Sequence, residues 1–383
     1  MVLTVVSAAA LLGWASVLLL PSRPYRIRER FEPDAFAADL GDVAVLIPAR
    51  NEADIIETTL DALARQGPGL TVYVIDDEST DATAALCRRA ADRLRLPAKD
   101  RFPLMVVLIA GQPLPADWSG KLWTLQQGLE HASRPYTVLL DADITLDAHV
   151  LPSLLGFARD EAISLVSIMA TLRCRGFWER LLVPPFIFFF KLLYPFARVN
   201  AERSTTAAAA GGCILIETRV LRSIGGFKPI RGALIDDCAL AAEVKRRGQR
   251  IWLGLSRAVT SRRPYPELAH FWRMVSRTAF TQLRYSLVLL LATTALMAVM
   301  FLGPVAALVN FSSTLSMTLG GLGLAAMAAA YTPVVRFYRL PVSWALTLPV
   351  AATLLLAMTW SSAIGCWRGT RARWKNRAYQ AFR

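Results

Sequence analysis

The distribution of charge constrains this chain more than any single motif in it. Residues 1–20, MVLTVVSAAALLGWASVLLL, carry no ionisable side chain, and residues 286–366 carry almost none. The stretch between them has the mixture of a soluble domain. Over all 383 residues, 54% are hydrophobic and 19% charged, against roughly 25% charged in an ordinary soluble domain. The deficit is therefore local. At ~1.5 Å per helical residue, the first 20 residues are long enough to cross a bilayer. A cleaved signal peptide is the rival reading, but it needs a basic leader and a small-residue cleavage site. Here the arginines (Arg23, Arg26, Arg28, Arg30) follow the apolar run and no A-x-A site comes after it. The expectation is an uncleaved anchor. The middle, about 220 residues, suffices for one large α/β core.

The formal net charge is +14. Much of it sits beside apolar segments: Arg23 to Arg30, Arg262 and Arg263, and Arg368 to Arg383. Membrane flanks account for that placement. No zinc-finger or RNA-binding motif accompanies it, so nucleic acid is not the expected partner. Five scattered cysteines without a C-x-x-C pair argue against a disulfide framework and structural zinc, and for a reducing compartment.

From Val43 onward, short apolar runs alternate with helix-like segments. VAVLI (43–47), TVYVI (71–75), LMVVLI (104–109) and YTVLL (136–140) read as strands, and ISLVSIMA (163–170) and GGCILI (211–216) as later ones. Helices are expected at about 52–65, 81–94, 121–132 and 235–248. Such alternation predicts an α/β fold, a mostly parallel sheet with helices on both faces. Ligands then bind beyond the carboxyl ends of the strands. The polar clusters fall there: Arg50-Asn51-Glu52, Asp76-Asp77-Glu78 and Asp141-Ala142-Asp143. IDDCALAAEVKRRG opens acidic and ends basic, as a helix dipole favours, and Gly248 suits its C-cap.

The expected organisation is an anchor at 1–21, a catalytic domain at 42–265, an interfacial helix at 266–285, transmembrane helices at 286–366 and a basic tail at 367–383. VPPFIFFFKLLYPF, with three prolines and a lysine, reads as an interfacial or re-entrant segment at 183–199. Three spans are expected at 286–309, 313–333 and 342–365. This topology does not close. Basic residues after the first span put the middle domain inside, whereas three later spans put the basic tail outside. Either one segment does not span, or segment 183–196 contributes. The domain is kept cytoplasmic, on a bacterial-type inner membrane.

Asp141-x-Asp143 places two carboxylates just past a strand end, where they can converge on Mg2+ or Mn2+. A solvated turn that caps a helix is the bland alternative. Asp76-Asp77 can accept hydrogen bonds from a ribose or base, or Asp77 or Ser79 can cap the next helix. Lys121, after Trp118-Ser119-Gly120, offers a point charge to phosphate or is an exposed loop lysine. It is not a Walker A lysine, because Leu122 follows it. Asp236 and Asp237 open a helix. They are caps, or Asp237 is the general base that takes a proton from an attacking sugar hydroxyl or other acceptor. A metal at Asp141 and Asp143 would then neutralise the departing diphosphate.

In order, IPARNE, VIDDESTDAT, SGKLWTLQQGLEHA, LLDADITLD, GGCILI and IDDCALAAEVKRRG resemble the family 2 glycosyltransferases of GT-A fold over about residues 43–255. The resemblance implies a Rossmann-like mixed sheet, a nucleotide-sugar donor (UDP-sugar expected), a divalent metal and inversion at the anomeric carbon. It implies that Pro48, Ala49, Glu52, Asp76 and Asp77 line the nucleotide pocket and that Lys121 approaches the diphosphate. Asp143 would be the main metal ligand with Asp141 beside it. Asp237 would be the base, with Asp236 standing where the family usually has Glu. The Q-x-x-R-W motif of processive members is absent; Met274-Val275-Ser276-Arg277-Thr278 keeps only Arg277, a candidate phosphate contact.

Within the family, the anchor, the W-S-G-K segment and the C-terminal spans are similar to the hopanoid-associated (HpnB-type) group, to ceramide glucosyltransferases and to carotenoid glycosyltransferases. That implies a membrane lipid acceptor reached from the bilayer, guided by segment 183–196 and Phe271-Trp272. Those aromatics equally suit an interfacial belt. Two rivals remain: a polyprenyl-phosphate sugar synthase, and a non-catalytic nucleotide-binding membrane subunit.

Overall fold

The computed structural model describes residues 1–34, 38–310, 313–369, 373–374 and 377–378. In chain order, α1 (Val2–Leu19) precedes β1 (Val43–Ala49), α2 (Ile56–Leu63), β2 (Thr71–Asp76), α3 (Thr83–Leu94) and β3 (Met105–Ala110). Next come α4 (Gly120–His131), β4 (Tyr136–Leu140), β5 (Ile144–Leu146), α5 (Val150–Asp160) and β6 (Leu165–Thr171). Then follow α6 (Phe177–Leu193), α7 (Phe196–Asn200), β7 (Cys213–Glu217), α8 (Thr218–Ser223), α9 (Asp236–Arg246) and β8 (Ile251–Ser261). The last helices are α10 (Leu268–Ser276), α11 (Ala279–Gln282), α12 (Leu287–Met297), α13 (Gly303–Leu308), α14 (Thr314–Phe337) and α15 (Leu348–Trp367). A π turn (Ala298–Leu302) joins α12 to α13, and a 3-10 turn (Val342–Thr347) leads into α15. Beyond Arg368 the described backbone consists of Gly369 and two short strands, β9 (Arg373–Trp374) and β10 (Arg377–Ala378). The rest of the expected basic tail lies outside the described residues.

The chain divides into two compact units. One comprises Glu29–Leu172 and Arg198–Arg263, with Arg371–Arg383. Its sheet runs β3-β2-β1-β4-β7-β6-β8-β5. β1 pairs in parallel with β2 and with β4, and β2 with β3. β7 enters antiparallel to both β4 and β6. The sheet is therefore mixed. β1 is central, and all seven residues of VAVLIPA are buried, as a strand covered on both faces requires. β3 is the edge, and its Met105 and Val107 are exposed. One hydrophobic core joins Val45, Ile47, Val72, Val138, Leu140 and Leu154. With β1 and β2 running alongside β4, their carboxyl ends bring three acidic turns to one rim of the sheet.

The other unit comprises Met1–Arg28, Arg173–Ala197 and Pro264–Thr370. Among the described residues it holds four helical segments long and apolar enough to cross a membrane: Val2–Leu19, Leu287–Leu308, Thr314–Phe337 and Val342–Trp367. The segment expected to be broken by prolines is a continuous helix, α6, with Pro184 and Pro185 inside it. Each proline costs a backbone hydrogen bond, but packing offsets this. Phe188 stacks with Trp14 and Tyr331, and Phe189 meets Phe301. The helix start is fixed by Glu179, which accepts from the N–H groups of Arg175, Gly176 and Tyr265. The expected interfacial helix at 266–285 is two helices, α10 and α11, interrupted at Arg277 and Thr278.

Candidate active site

Two ionic knots occupy the rim at the carboxyl ends of the strands. The first centres on Lys121. Ser119 caps α4, its hydroxyl accepting from Leu122 N–H. The lysine thus stands on the first turn of a helix and is half-buried, not on an exposed loop. Its Nζ lies 2.9 Å from Asp141 and 3.2 Å from Asp236. Asp141 arrives from the end of β4, and Asp236 from the start of α9. Burial opposes the Lys121 ammonium, but Asp141, Asp236 and Asp237 outweigh it and hold its pKa above the usual lysine range.

Asp237 sits beside this knot. Its Oδ2 accepts from Gly211 N–H at 2.7 Å and its Oδ1 from Cys238 N–H at 2.7 Å. Burial, and then the neighbouring charge of Asp236, push its carboxyl up to about 6, against the lowering effect of Lys121 and the two amides. Gly211 leaves room there: a Cβ on it would lie 3.2 Å from Lys121 Nζ and 3.4 Å from Asp237 Oδ2. Pro48 at the end of β1 borders the same small cavity of about 10 Å³.

The second knot centres on Arg263, directly after β8. Its guanidinium reaches both Glu52 oxygens, at 2.9 and 3.2 Å, and Asp143 Oδ1 at 3.5 Å. Asp143 Oδ2 accepts from the Ser261 hydroxyl at 2.5 Å. Arg262 bonds the Thr145 hydroxyl instead. Both arginines were expected to flank a membrane segment; they belong to this rim. Ser261 ends β8 and Arg262 and Arg263 follow it, a strand not among those expected from the sequence.

The β2 turn is tied to the β1 turn. Asp77 is buried, donates its N–H to the Ala49 carbonyl and pairs with Arg50. Asn51, at φ 51°, accepts from Thr80 N–H, and its own N–H donates to the Ser79 hydroxyl. Neither Asp77 nor Ser79 caps α3. The residue before α3 is Ala82, which has no capping side chain, and Asp81 just ahead of it accepts from Thr83 N–H. Among the described residues Asp76 Oδ1 is buried without a hydrogen-bond partner, and Asp76 borders an open groove of about 390 Å³ with Arg88 and Ala110. Such an acceptor is available to a ligand donor.

Arg277 lies elsewhere, exposed at the break between α10 and α11 in the other unit. There Phe271 is buried against Phe186 and Tyr265, so it cannot guide a lipid at the surface. Trp272 faces a groove of about 550 Å³ between α10 and α15, with Leu356, Trp360 and Ile364.

Among the described residues, no three His, Cys, Asp or Glu side chains gather in a metal cluster. Asp141 and Asp143 still suit a hard cation of the Mg2+ type, which takes one or two carboxylates and completes its shell with water and phosphate oxygens. The carboxyl of Asp141 is raised by burial, and Asp143 and Asp236 add to it against Lys121. A further cation would relieve that excess of negative charge.

Residues 44–225 match the family model for glycosyl transferase family 2. A 4,4'-diaponeurosporenoate glycosyltransferase from Staphylococcus haemolyticus is 27% identical over 128 residues, covering 33% of this chain and 31% of that protein. The chain thus matches only about a third of that relative's length. Among solved structures, the mannosyltransferase PcManGT from Pyrobaculum calidifontis, in complex with GDP-Man and Mn2+, is similar over 96% of this chain and 99% of its own. The identity is 21% and the TM-score 0.56. Residues 44–225 are thus similar to glycosyl transferase family 2, and the mixed sheet with its acidic turns is GT-A-like in fold.

Proposed function

We propose that this chain is a membrane-bound inverting glycosyltransferase that moves one sugar from a nucleotide-sugar donor to a membrane lipid. The observation that carries this reading is the convergence of Lys121, Asp141, Asp236 and Asp237 at one end of the sheet. Asp237 is the base. An acceptor hydroxyl attacks the anomeric carbon, the bond to the diphosphate oxygen breaks, and the hydroxyl proton passes to an Asp237 oxygen. A carboxyl raised to about 6 is largely ionised at pH 7 yet more basic than an ordinary aspartate. Lys121 lends positive charge to the diphosphate, and Asp236 holds Lys121 in place.

Asp141 and Asp143 are the groups that would hold Mg2+ or Mn2+, which when bound neutralises charge on the leaving diphosphate. Asp76 accepts a hydrogen bond from the nucleoside through its buried Oδ1. Pro48, Ala49 and Asp77 are assigned to the nucleotide site, Pro48 bordering the Lys121 cavity and Asp77 tying the β2 turn to Ala49. Glu52, clamped by Arg263, fixes the turn after β1. Arg277 is assigned to phosphate near the membrane surface. The donor is taken to be a UDP-sugar.

The lipid acceptor is supported by four apolar helices and the tryptophan-lined groove between α10 and α15. A hopanoid is the first acceptor to try, with the domain on the cytoplasmic face of the inner membrane. The test is direct. Membranes containing the chain are incubated with labelled nucleotide sugars and candidate lipids, and products are identified by mass spectrometry. A glycosylated neutral lipid is expected. An acid-labile phosphodiester product would replace this reading with a polyprenyl-phosphate sugar synthase, and the absence of any sugar transfer would remove it.

A further inference from the structure

We propose that α15 does not cross the membrane: it starts and ends on the side where α14 ends, so the chain crosses three times and not four. Helix directions within the membrane unit carry the inference. Thr4 Oγ1 meets Ser316 Oγ at 2.7 Å, and the backbone at Leu11 approaches Gly323. Seven residues along α1 match seven along α14, so these helices are parallel. The segment Leu287–Leu308 runs against them: Gly320 faces Ala307 and Pro304, while Gly323 faces Pro304. Small residues allow this close approach. Since α14 starts on the side where α1 starts, the chain must cross back between them, and Leu287–Leu308 does so. Leu287 therefore lies on the side where α1 and α14 end.

Ten residues separate α15 from the end of α14, and they include a 3-10 turn packed on α14. Its far end returns to the start of α12. Trp360 Nε1 donates to Thr294 Oγ1 at 2.9 Å, and Ala363 packs with Leu290 and Phe280. Phe280 N–H donates to Ser362 Oγ, and Trp367 stacks edge-on to Phe280. Both ends of α15 thus adjoin the same side. Between those ends α15 packs on α6, α10, α11, α12 and the π turn.

The arginines agree. Arg23 and Arg26 follow α1, Arg336 and Arg339 end α14, and Arg368 ends α15. With three crossings all of them share one side, as the excess of Lys and Arg in cytoplasmic loops requires. The conflict between four spans and a basic tail disappears. The face made by α10, α11 and α15, with Arg273, Arg284 and Arg368 exposed, then meets the anionic headgroups of one leaflet.

Single cysteines introduced by Arg23→Cys, Asn310→Cys and Arg368→Cys, on a background with the five native cysteines replaced by alanine, would be labelled with a membrane-impermeant maleimide. Sealed vesicles of both orientations are compared. Arg368→Cys is expected to label with Arg23→Cys, and Asn310→Cys from the opposite face. In parallel, an epitope tag after Arg383 on the unsubstituted chain is expected to be cut by protease in inverted vesicles and protected in right-side-out ones. This second measurement stands if a cysteine variant fails to fold. Labelling of Arg368→Cys with Asn310→Cys, or a tag protected in inverted vesicles, would overturn the proposal.

Discussion

The two ionic knots on the rim are built from similar residues for different ends. Around Lys121, one cation faces Asp141, Asp236 and the adjacent Asp237, so negative charge is left over. Around Arg263, a planar guanidinium grips both oxygens of Glu52 while Ser261 shares the load of Asp143. There one Arg263 nitrogen is shared between the two Glu52 oxygens and reaches Asp143, whereas the surplus of carboxylates around Lys121 holds the Asp237 carboxyl up to about 6. In the proposed function, the first knot handles protons and phosphate charge. The second holds the turns after β1 and β4 in register.

Four measurements probe that contrast. Removing divalent metal with EDTA should cost the most, at least ~10³-fold in transfer rate, because Asp141 and Asp143 would no longer share their charge with a cation. Mn2+ or Mg2+ should restore it, and full activity in metal-free buffer would end the metal role of both residues. Lys121→Ala should lower turnover by about 10²-fold. An unchanged rate there would mean the lysine only neutralises its neighbours.

Acidification comes next. A base works only when ionised, so kcat/KM should fall as pH drops through about 6, roughly tenfold between pH 7 and pH 5. A flat profile over that range would detach Asp237 from the proton transfer. The same raised pKa favours the protonated carboxyl in the folded state. The strain of keeping Asp237 ionised is thus present above pH 6 and relieved below it, so the group does not itself make the fold acid-labile. Smallest is Arg263→Ala, expected to raise the donor KM about fivefold with kcat nearly unchanged. A kcat loss matching that of Lys121→Ala would erase the distinction between the knots.

Much of this arrangement is legible in the sequence. Strands such as VAVLI and YTVLL announce themselves as short apolar runs bounded by polar turns, and Asp141 and Asp143 follow from where β4 ends. Asp236 and Asp237 are visible as the acidic start of a helix. The pairing of Lys121 with Asp236 is not, because 115 positions separate them and only the sheet order brings α4 beside α9. Arg263 shows the same limit: in the sequence it resembles a membrane flank, and only β8 lying beside β5 carries it to Asp143. Periodicity also misjudges α6, where aromatic packing overrides two prolines. Hydropathy likewise gives α15 the composition of a span without telling where its far end lies.

The central claim is that Asp237 is the base. The most direct test is Asp237→Asn, with sugar transfer at pH 8 and donor affinity measured on the same preparation. The expected result is a fall in turnover of about 10³-fold with donor affinity unchanged within about threefold. A variant that keeps more than about a tenth of the parent rate would contradict it.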